Sequence, residues 1–342
     1  MQPQRVKTME EFASLSGISR PTLSKFFNDP HSVRQSTRKR IETALKRYDY
    51  TPNIYAINQN RRMTRNIGIV VPFLADPFFA EVARILEQLC VQAGFNPILL
   101  SSHGDPDREV QNLESLRSIK PAGVLLAPLG RNSRKADLDA FVQDTPTVLF
   151  DCNVDGVGDA FFGSNKLQSM TLLVDYLCRT GEPPALFEMV RAPNPNADKL
   201  HDAYAQAMRE RGHTPIYLEA DGEDWNFEEV GFSEGGRFIE EGLPTNTVLC
   251  SNDRLAIGFL AGAYDKGLRV GIGDGHAIRV AGHDDHPYAR FTCPALTTVS
   301  QDYDSIAGSS LDRLLTIIET GARPTEQDAK LFDGRLIVRK SA

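Results

Sequence analysis

From Asn66 onward, short continuous apolar runs alternate with amphipathic stretches, and this alternation restricts the possible fold more than any other feature of the chain. The runs are Ile67-Gly-Ile-Val-Val71, Pro97-Ile-Leu-Leu100, Gly123-Val-Leu-Leu-Ala127 and Thr147-Val-Leu-Phe150. Strands without polar alternation are covered on both faces, and helical spacers such as Glu81 to Ala93 make their sheet parallel. The pattern restarts at Ala185-Leu-Phe187, Thr247-Val-Leu-Cys250 and Arg279-Val-Ala-Gly282, which predicts two doubly wound lobes. A ligand would lie between them, at the carboxyl ends of the strands. No glycine-rich phosphate loop follows the first run, which continues Pro72-Phe-Leu-Ala-Asp-Pro-Phe-Phe79. That argues against a nucleotide-dependent dehydrogenase or kinase.

The first 65 residues are of a different kind. They hold thirteen Lys and Arg against five Asp and Glu, a balance of +8. The rest holds 25 against 40, a balance of −15. A cationic head attracts phosphate and an anionic body is repelled by it, so a polyanionic partner would meet the head alone. The five cysteines (Cys90, Cys152, Cys178, Cys250, Cys293) show no paired spacing and read as free thiols. No leader-like apolar region opens the chain and no apolar run reaches membrane-spanning length, which predicts a cytoplasmic protein with no membrane partner.

Within the head, Thr8 and Glu11 have the spacing of a capping box. Phe12, Leu15 and Ile18 form an apolar stripe, and the first helix ends near Gly17. Ser19 can cap a second helix, where Pro21 is tolerated because first-turn N–H groups lack intrahelical partners. Leu23, Phe26 and Phe27 form its inner face, which leaves Arg20, Pro21, Thr22, Ser24 and Lys25 outside. A third helix buries Ile41, Ala44, Leu45 and Tyr48 and exposes Arg34, Arg38, Lys39, Arg40, Lys46 and Arg47. Positive charge on the two helices that would face a duplex points to a helix-turn-helix DNA reader rather than a protein-interaction module.

The run Phe12-Ala13, Gly17-Ile18-Ser19, Thr22-Leu23-Ser24-Lys25, Asn28, Val33 to Arg38 and Tyr50-Thr51-Pro52-Asn53 resembles the DNA-binding domain of the LacI/GalR family of bacterial repressors. The resemblance continues along nearly the whole chain, whose body is similar to the family's periplasmic-binding-protein-like core. It implies a helix-turn-helix domain over 1–51, a hinge helix and linker over 52–65, and an effector-binding and dimerisation domain over 66–342. The three lobe crossings are expected near Gly163, Cys293 and Arg323. Lobe one would then hold about 66–163 and 293–322, and lobe two about 164–292 and 323–342. By the same resemblance Arg20 and Lys25 read bases, with Arg20 suited to the O6/N7 edge of guanine. Ser19, Pro21, Thr22, Ser24, Asn28, Arg34, Thr37 and Arg38 complete the DNA face, several of them on phosphates. Hinge contacts are expected from Asn53, Ala56 and Gln59. Gln59 stands where the family has a wedging leucine, so the sharp kink of the DNA is not implied.

Polar residues end the strands of the body. Asp76 and Phe79, Asp151 and Asn153, Asn252, Asp284 and Gln301 match positions that contact effector in family members, and Trp225, the only tryptophan, supplies a ring. Carboxylates and amides around an aromatic face suit a sugar or polyol, because each hydroxyl both donates and accepts. Leu200 takes the place of the family's arginine, which points away from phosphorylated or carboxylated effectors. His283-Asp-Asp-His286 lacks a third metal ligand at clear spacing, so no metal or cofactor is expected. No nucleophile with its base is evident, so the chain is read as no enzyme.

The resulting expectation is a ligand-responsive repressor of sugar or polyol catabolic genes, bound as a homodimer to a pseudo-palindromic operator. No leucine heptads follow Leu336-Ile-Val-Arg339, so a tail-mediated tetramer is not expected. The alternatives are a sugar-binding protein, which would carry an export signal and no basic head, and a sugar-metabolising enzyme with an accessory helical domain.

Overall fold

The computed structural model describes residues 6, 8–28, 30–51, 64–273 and 275–342. It divides into two compact units, Met1–Thr64 and Arg65–Ala342. Asn53, Ala56 and Gln59 of the expected hinge lie outside the described residues.

The first unit is helical: α1 (Met9–Ser16), α2 (Arg20–Asn28) and α3 (Gln35–Tyr48). The capping box forms on both sides, with the Glu11 N–H donating to Thr8 Oγ1 and the Thr8 N–H to Glu11 Oε2. Gly17 closes α1 at φ 64°, a left-handed conformation that glycine adopts without a Cβ clash. Phe12, Ile18, Leu23, Phe26, Val33, Ile41, Ala44 and Tyr50 make the core, with Phe12 stacked on Tyr50 at 4.6 Å. Leu15 departs from the expected stripe and is half exposed, because a step of three falls 60° short of a full helical turn. Phe27, Leu45 and Tyr48 are only partly buried.

The second unit contains two parallel sheets. The larger is ordered β11-β5-β4-β3-β1-β2, with β1 (Asn66–Val71), β2 (Asn96–Ser101), β3 (Gly123–Leu126), β4 (Thr147–Phe150), β5 (Ala160–Ser164) and β11 (Asp328–Phe332). The smaller is ordered β7-β6-β8-β9, with β6 (Ala185–Met189), β7 (Tyr217–Ala220), β8 (Thr247–Cys250) and β9 (Arg279–Ala281). An antiparallel pair joins β10 (Thr298–Ser300) to β12 (Arg335–Ile337). The helices are α4 (Pro77–Gln92), α5 (Pro106–Ile119), α6 (Lys135–Asp144), α7 (Lys166–Thr180), α8 (Ala197–Glu210), α9 (Phe227–Glu241), α10 (Asp253–Asp265) and α11 (Tyr303–Thr320).

Local chemistry places the helix starts. Asp76 and Asp105 each cap a helix whose first residue is proline, and Asn165, Asn252 and Asp302 cap α7, α10 and α11. Helices α9 and α10 pack backbone to backbone. A Cβ on Gly258 would lie 2.1 Å from the Glu228 carbonyl oxygen, and one on Gly231 2.3 Å from that of Leu255.

The lobe crossings correct the expectation in two places. The first falls at Ser164–Lys166, next to the expected Gly163, between β5 and α7. The second follows β10, because Thr297 just before it bridges to Ala281 at the end of β9 and Ser300 to Asp284, so it lies at Gln301–Asp302 and not at Cys293. The third lies at Asp333–Gly334 and not at Arg323, because β11 pairs in parallel with β5 and extends the lobe-one sheet. The misreading has a physical cause. Strand β11 (Asp-Ala-Lys-Leu-Phe) is an exposed edge strand with no continuous apolar run.

Candidate functional site

On the head, Arg20, Pro21 and Lys25 are exposed on α2, and Thr22 and Ser24 are half-buried beside them. Ser19 and Thr22 join their hydroxyls at 2.8 Å across the start of α2. Arg34 is exposed, and Thr37 and Arg38 are half-buried at the start of α3. Asn28 ends α2, and its side chain lies outside the described atoms. Arg20 is not idle, since its guanidinium meets Glu10 of α1 at 3.1 Å. An exposed pair of this kind is weak and easily exchanged for another anion.

In the body, a cleft between the lobes gathers seven of the eight expected effector residues: Asp76, Phe79, Asp151, Trp225, Asn252, Asp284 and Gln301. Asn153 is not among them. Its amide turns to Asp155 at 3.4 Å and lines a neighbouring groove. Leu200 lies in the cleft wall, while Lys199 faces the groove with its ammonium 3.9 Å from Cys152 Sγ. His201 pairs with Glu188 at 2.6 Å.

Several of these residues have structural duties as well. Asp76 accepts from the Phe78 N–H at 3.0 Å, and Asn252 from the Leu255 N–H at 2.8 Å, so both are helix caps. Asp151 and Asp284 have left-handed backbones, at φ 61° and 117°. Such conformations are sparsely populated outside glycine and cluster at ligand sites.

Two cations of the cleft, Lys166 buried and Arg254 largely so, were not foreseen from the sequence. Lys166, in the first turn of α7, donates to Gln301 Oε1 at 2.9 Å and lies 3.7 Å from Asp151. Arg254, in the first turn of α10, pairs with Asp76 at 3.1 Å and with Glu228 at 2.6 Å. Asn196, Asp253, His286 and Tyr303 also line the cleft. A cap residue followed by a cation, in Asn165-Lys166 and Asn252-Asp253-Arg254, was the available signal. It is weak, because helix starts usually carry solvated polar residues.

Burial governs the charge states. It pushes the Asp76 carboxyl up to about 6, against the opposing pull of Arg254. It pushes Asp253 up to about 8, helped by the charge of Asp284. Asp151 is also raised by burial, with Lys166 opposing. Burial lowers the His286 imidazole, whose Nδ1 accepts from the Tyr288 N–H at 3.0 Å. Gln301 donates its amide to Asp284, and His283 Nδ1 lies 2.7 Å from the same carboxylate oxygen. Among the described residues, no group of three His, Cys, Asp or Glu side chains could hold a metal ion. No helix among them is long and apolar enough to cross a membrane.

The fold and the site define a class, a helix-turn-helix DNA-binding domain carried on a periplasmic-binding-protein-like body. Family comparison matches residues 8–53 to the lacI family of bacterial regulatory proteins and residues 179–342 to the periplasmic binding protein-like domain. The chain thus carries a lacI-family helix-turn-helix domain and a periplasmic-binding-protein-like domain. It is similar to the ribose operon repressor of Escherichia coli (strain K12), 28% identical over 95% of this chain and 96% of that one. It is also similar to the HTH-type transcriptional repressor PurR of Haemophilus influenzae (strain PittEE), 26% identical over 98% of each. Among solved structures, the Lac repressor dimer bound to operator and the anti-inducer ONPF superposes with a TM-score of 0.84, 23% identity and 99% coverage of both chains.

Proposed function

We propose that the protein is a repressor that binds a pseudo-palindromic operator as a homodimer and responds to a neutral sugar or polyol held between the lobes. It acts in the cytoplasm, where such operators lie. Arg20 and Lys25 read bases, Ser19, Thr22, Asn28, Thr37 and Arg38 hold phosphates and fix register, and Pro21, Ser24 and Arg34 complete the DNA face. Asn53, Ala56 and Gln59 extend the contact toward the operator centre. The relatives that support this reading are themselves named as repressors, one of a ribose operon.

One observation carries the effector class: both cations in the cleft are already engaged. Lys166 is held by Asp151 and Gln301. Arg254 spends its donors on Glu228, Asp76 and the Trp225 carbonyl oxygen. Among the described residues of the cleft, an anionic ligand would meet several carboxylates and two cations already paired with carboxylates, and burying its charge there would be costly. Hydroxyl groups fit better. The Asn252 amide N–H₂, the unpartnered Asn196 Oδ1 and the carboxylates offer donors and acceptors beside the Trp225 ring.

Effector bias on DNA binding equals its differential affinity for the DNA-competent and DNA-incompetent states. A gel-shift titration on duplexes from the chain's own upstream region, with and without a panel of pentoses, hexoses and polyols, tests the proposal. A shift altered by a neutral sugar supports it. Turnover of such a sugar by the purified protein would instead favour an enzyme.

A further inference from the structure

We infer that Arg254 is a positioning residue of the cleft: it latches lobe two onto Asp76 of lobe one and fixes the Trp225 ring against Phe73. The role assigned to that ring rests on the reading of the cleft as the effector site.

The guanidinium sits at the first turn of α10 and is largely buried, as is its cross-lobe partner. Its Nε and Nη2 grip the two oxygens of Glu228 at 2.7 and 2.6 Å. Nη2 also donates to the Trp225 carbonyl oxygen at 2.7 Å, and Nη1 to Asp76 Oδ2 at 3.1 Å. The Phe227 ring lies 5.2 Å beneath it. A planar fork with fixed donors holds four acceptor oxygens of three residues in one geometry, which a lysine cannot do. Asp76 passes the constraint on, because its other oxygen caps α4 through the Phe78 N–H. Phe79, one residue further, presents its ring 6.1 Å from Trp225.

An independent observation concerns Trp225 itself. Its indole Nε1 is buried without a hydrogen-bond partner, so the indole N–H does not anchor the ring. Edge contacts with Phe79 and Phe227 flank the ring, and across the gap it is held by the stack on Phe73, centroids 4.9 Å apart and planes 16° from parallel, with the grip of Arg254 on its carbonyl. Phe73 belongs to lobe one and Trp225 to lobe two. The stack and the ion pair therefore span the same gap, and each holds the other in register. Neutralising Arg254 does not require Asp76, since Glu228 already supplies a bidentate carboxylate. Buried pairs add little net stability but fix register, which matches a latch better than a staple.

The single tryptophan makes the test direct. Acrylamide quenching of the ligand-free full chain should be low in the native protein. Arg254→Met and Asp76→Asn should each raise the quenching constant by about twofold or more and shift emission to the red, with the double variant no further than Arg254→Met alone. Asp76→Asn keeps the α4 cap, so it serves if Arg254→Met fails to fold by circular dichroism. Folded variants with native quenching, or strictly additive effects, would overturn the latch. The gel shift is independent of this readout. A chain that selects no duplex yet shows the coupled quenching loses the regulator reading and keeps the latch.

Discussion

The Lys166 ammonium faces the Asp151 carboxylate at 3.7 Å, one at the start of α7 and the other at the end of β4, both almost wholly buried. Lys166→Met leaves the carboxylate without its cation, and loss of one member of a buried pair costs about 3–5 kcal/mol. The melting temperature should fall accordingly. Adding Asp151→Asn should recover much of the loss. Equal melting temperatures for native and Lys166→Met proteins would show that the pair carries no structural weight.

On the head, Arg20→Ala should remove about 1–3 kcal/mol of discrimination at one base pair of each half-site, with the fold intact. Glu10→Gln frees the same guanidinium from its exposed partner. It should strengthen operator binding slightly, by less than about 1 kcal/mol. Footprinting across single-base operator variants separates the two. An unchanged footprint for Arg20→Ala would refute its assignment.

Asp253 sets a pH dependence whose sign is fixed by its raised value. A carboxyl held at about 8 in the folded chain binds a proton there that the unfolded chain has already lost. Its stabilising contribution is complete below the unfolded value near 4 and disappears as pH rises towards 8. Asp253→Asn keeps the shape that accepts from the His286 N–H and meets the Thr298 hydroxyl. Melting curves from pH 5 to 8.5 should show the native protein losing ground to Asp253→Asn as pH rises. Parallel curves would contradict the buried neutral acid.

Gly258 tests the close contact of α9 and α10. Gly258→Ala drives a methyl group against the Glu228 carbonyl oxygen and should destabilise the body by about 1–3 kcal/mol. Gly308 has open space around its Cβ position, so Gly308→Ala in α11 should stabilise by about 0.5–1 kcal/mol. Paired thermal melts read both signs at once.

Legibility followed the strength of local signals. The head declared itself through Thr8, Glu11, Gly17 and the apolar spacing from Leu23 to Tyr48, all short-range features. The core strands β1, β3, β4, β6 and β8 were visible as unbroken apolar runs, because both faces are covered. Strand β7 was missed because its burial alternates at a sheet edge, and β11 because it is exposed. The acceptors of the cleft could be seen at strand ends. Lys166 and Arg254 could not, because their partners lie 135 and 178 residues away in sequence, at Gln301 and Asp76.

Selection of duplexes from a random-sequence pool by the full chain, with and without a panel of neutral sugars and polyols, tests the central claim most directly. The account predicts enrichment of a pseudo-palindrome whose recovery changes in the presence of one neutral sugar or polyol, with steep salt dependence. No enrichment of any sequence, with the cleft empty or saturated, would contradict it.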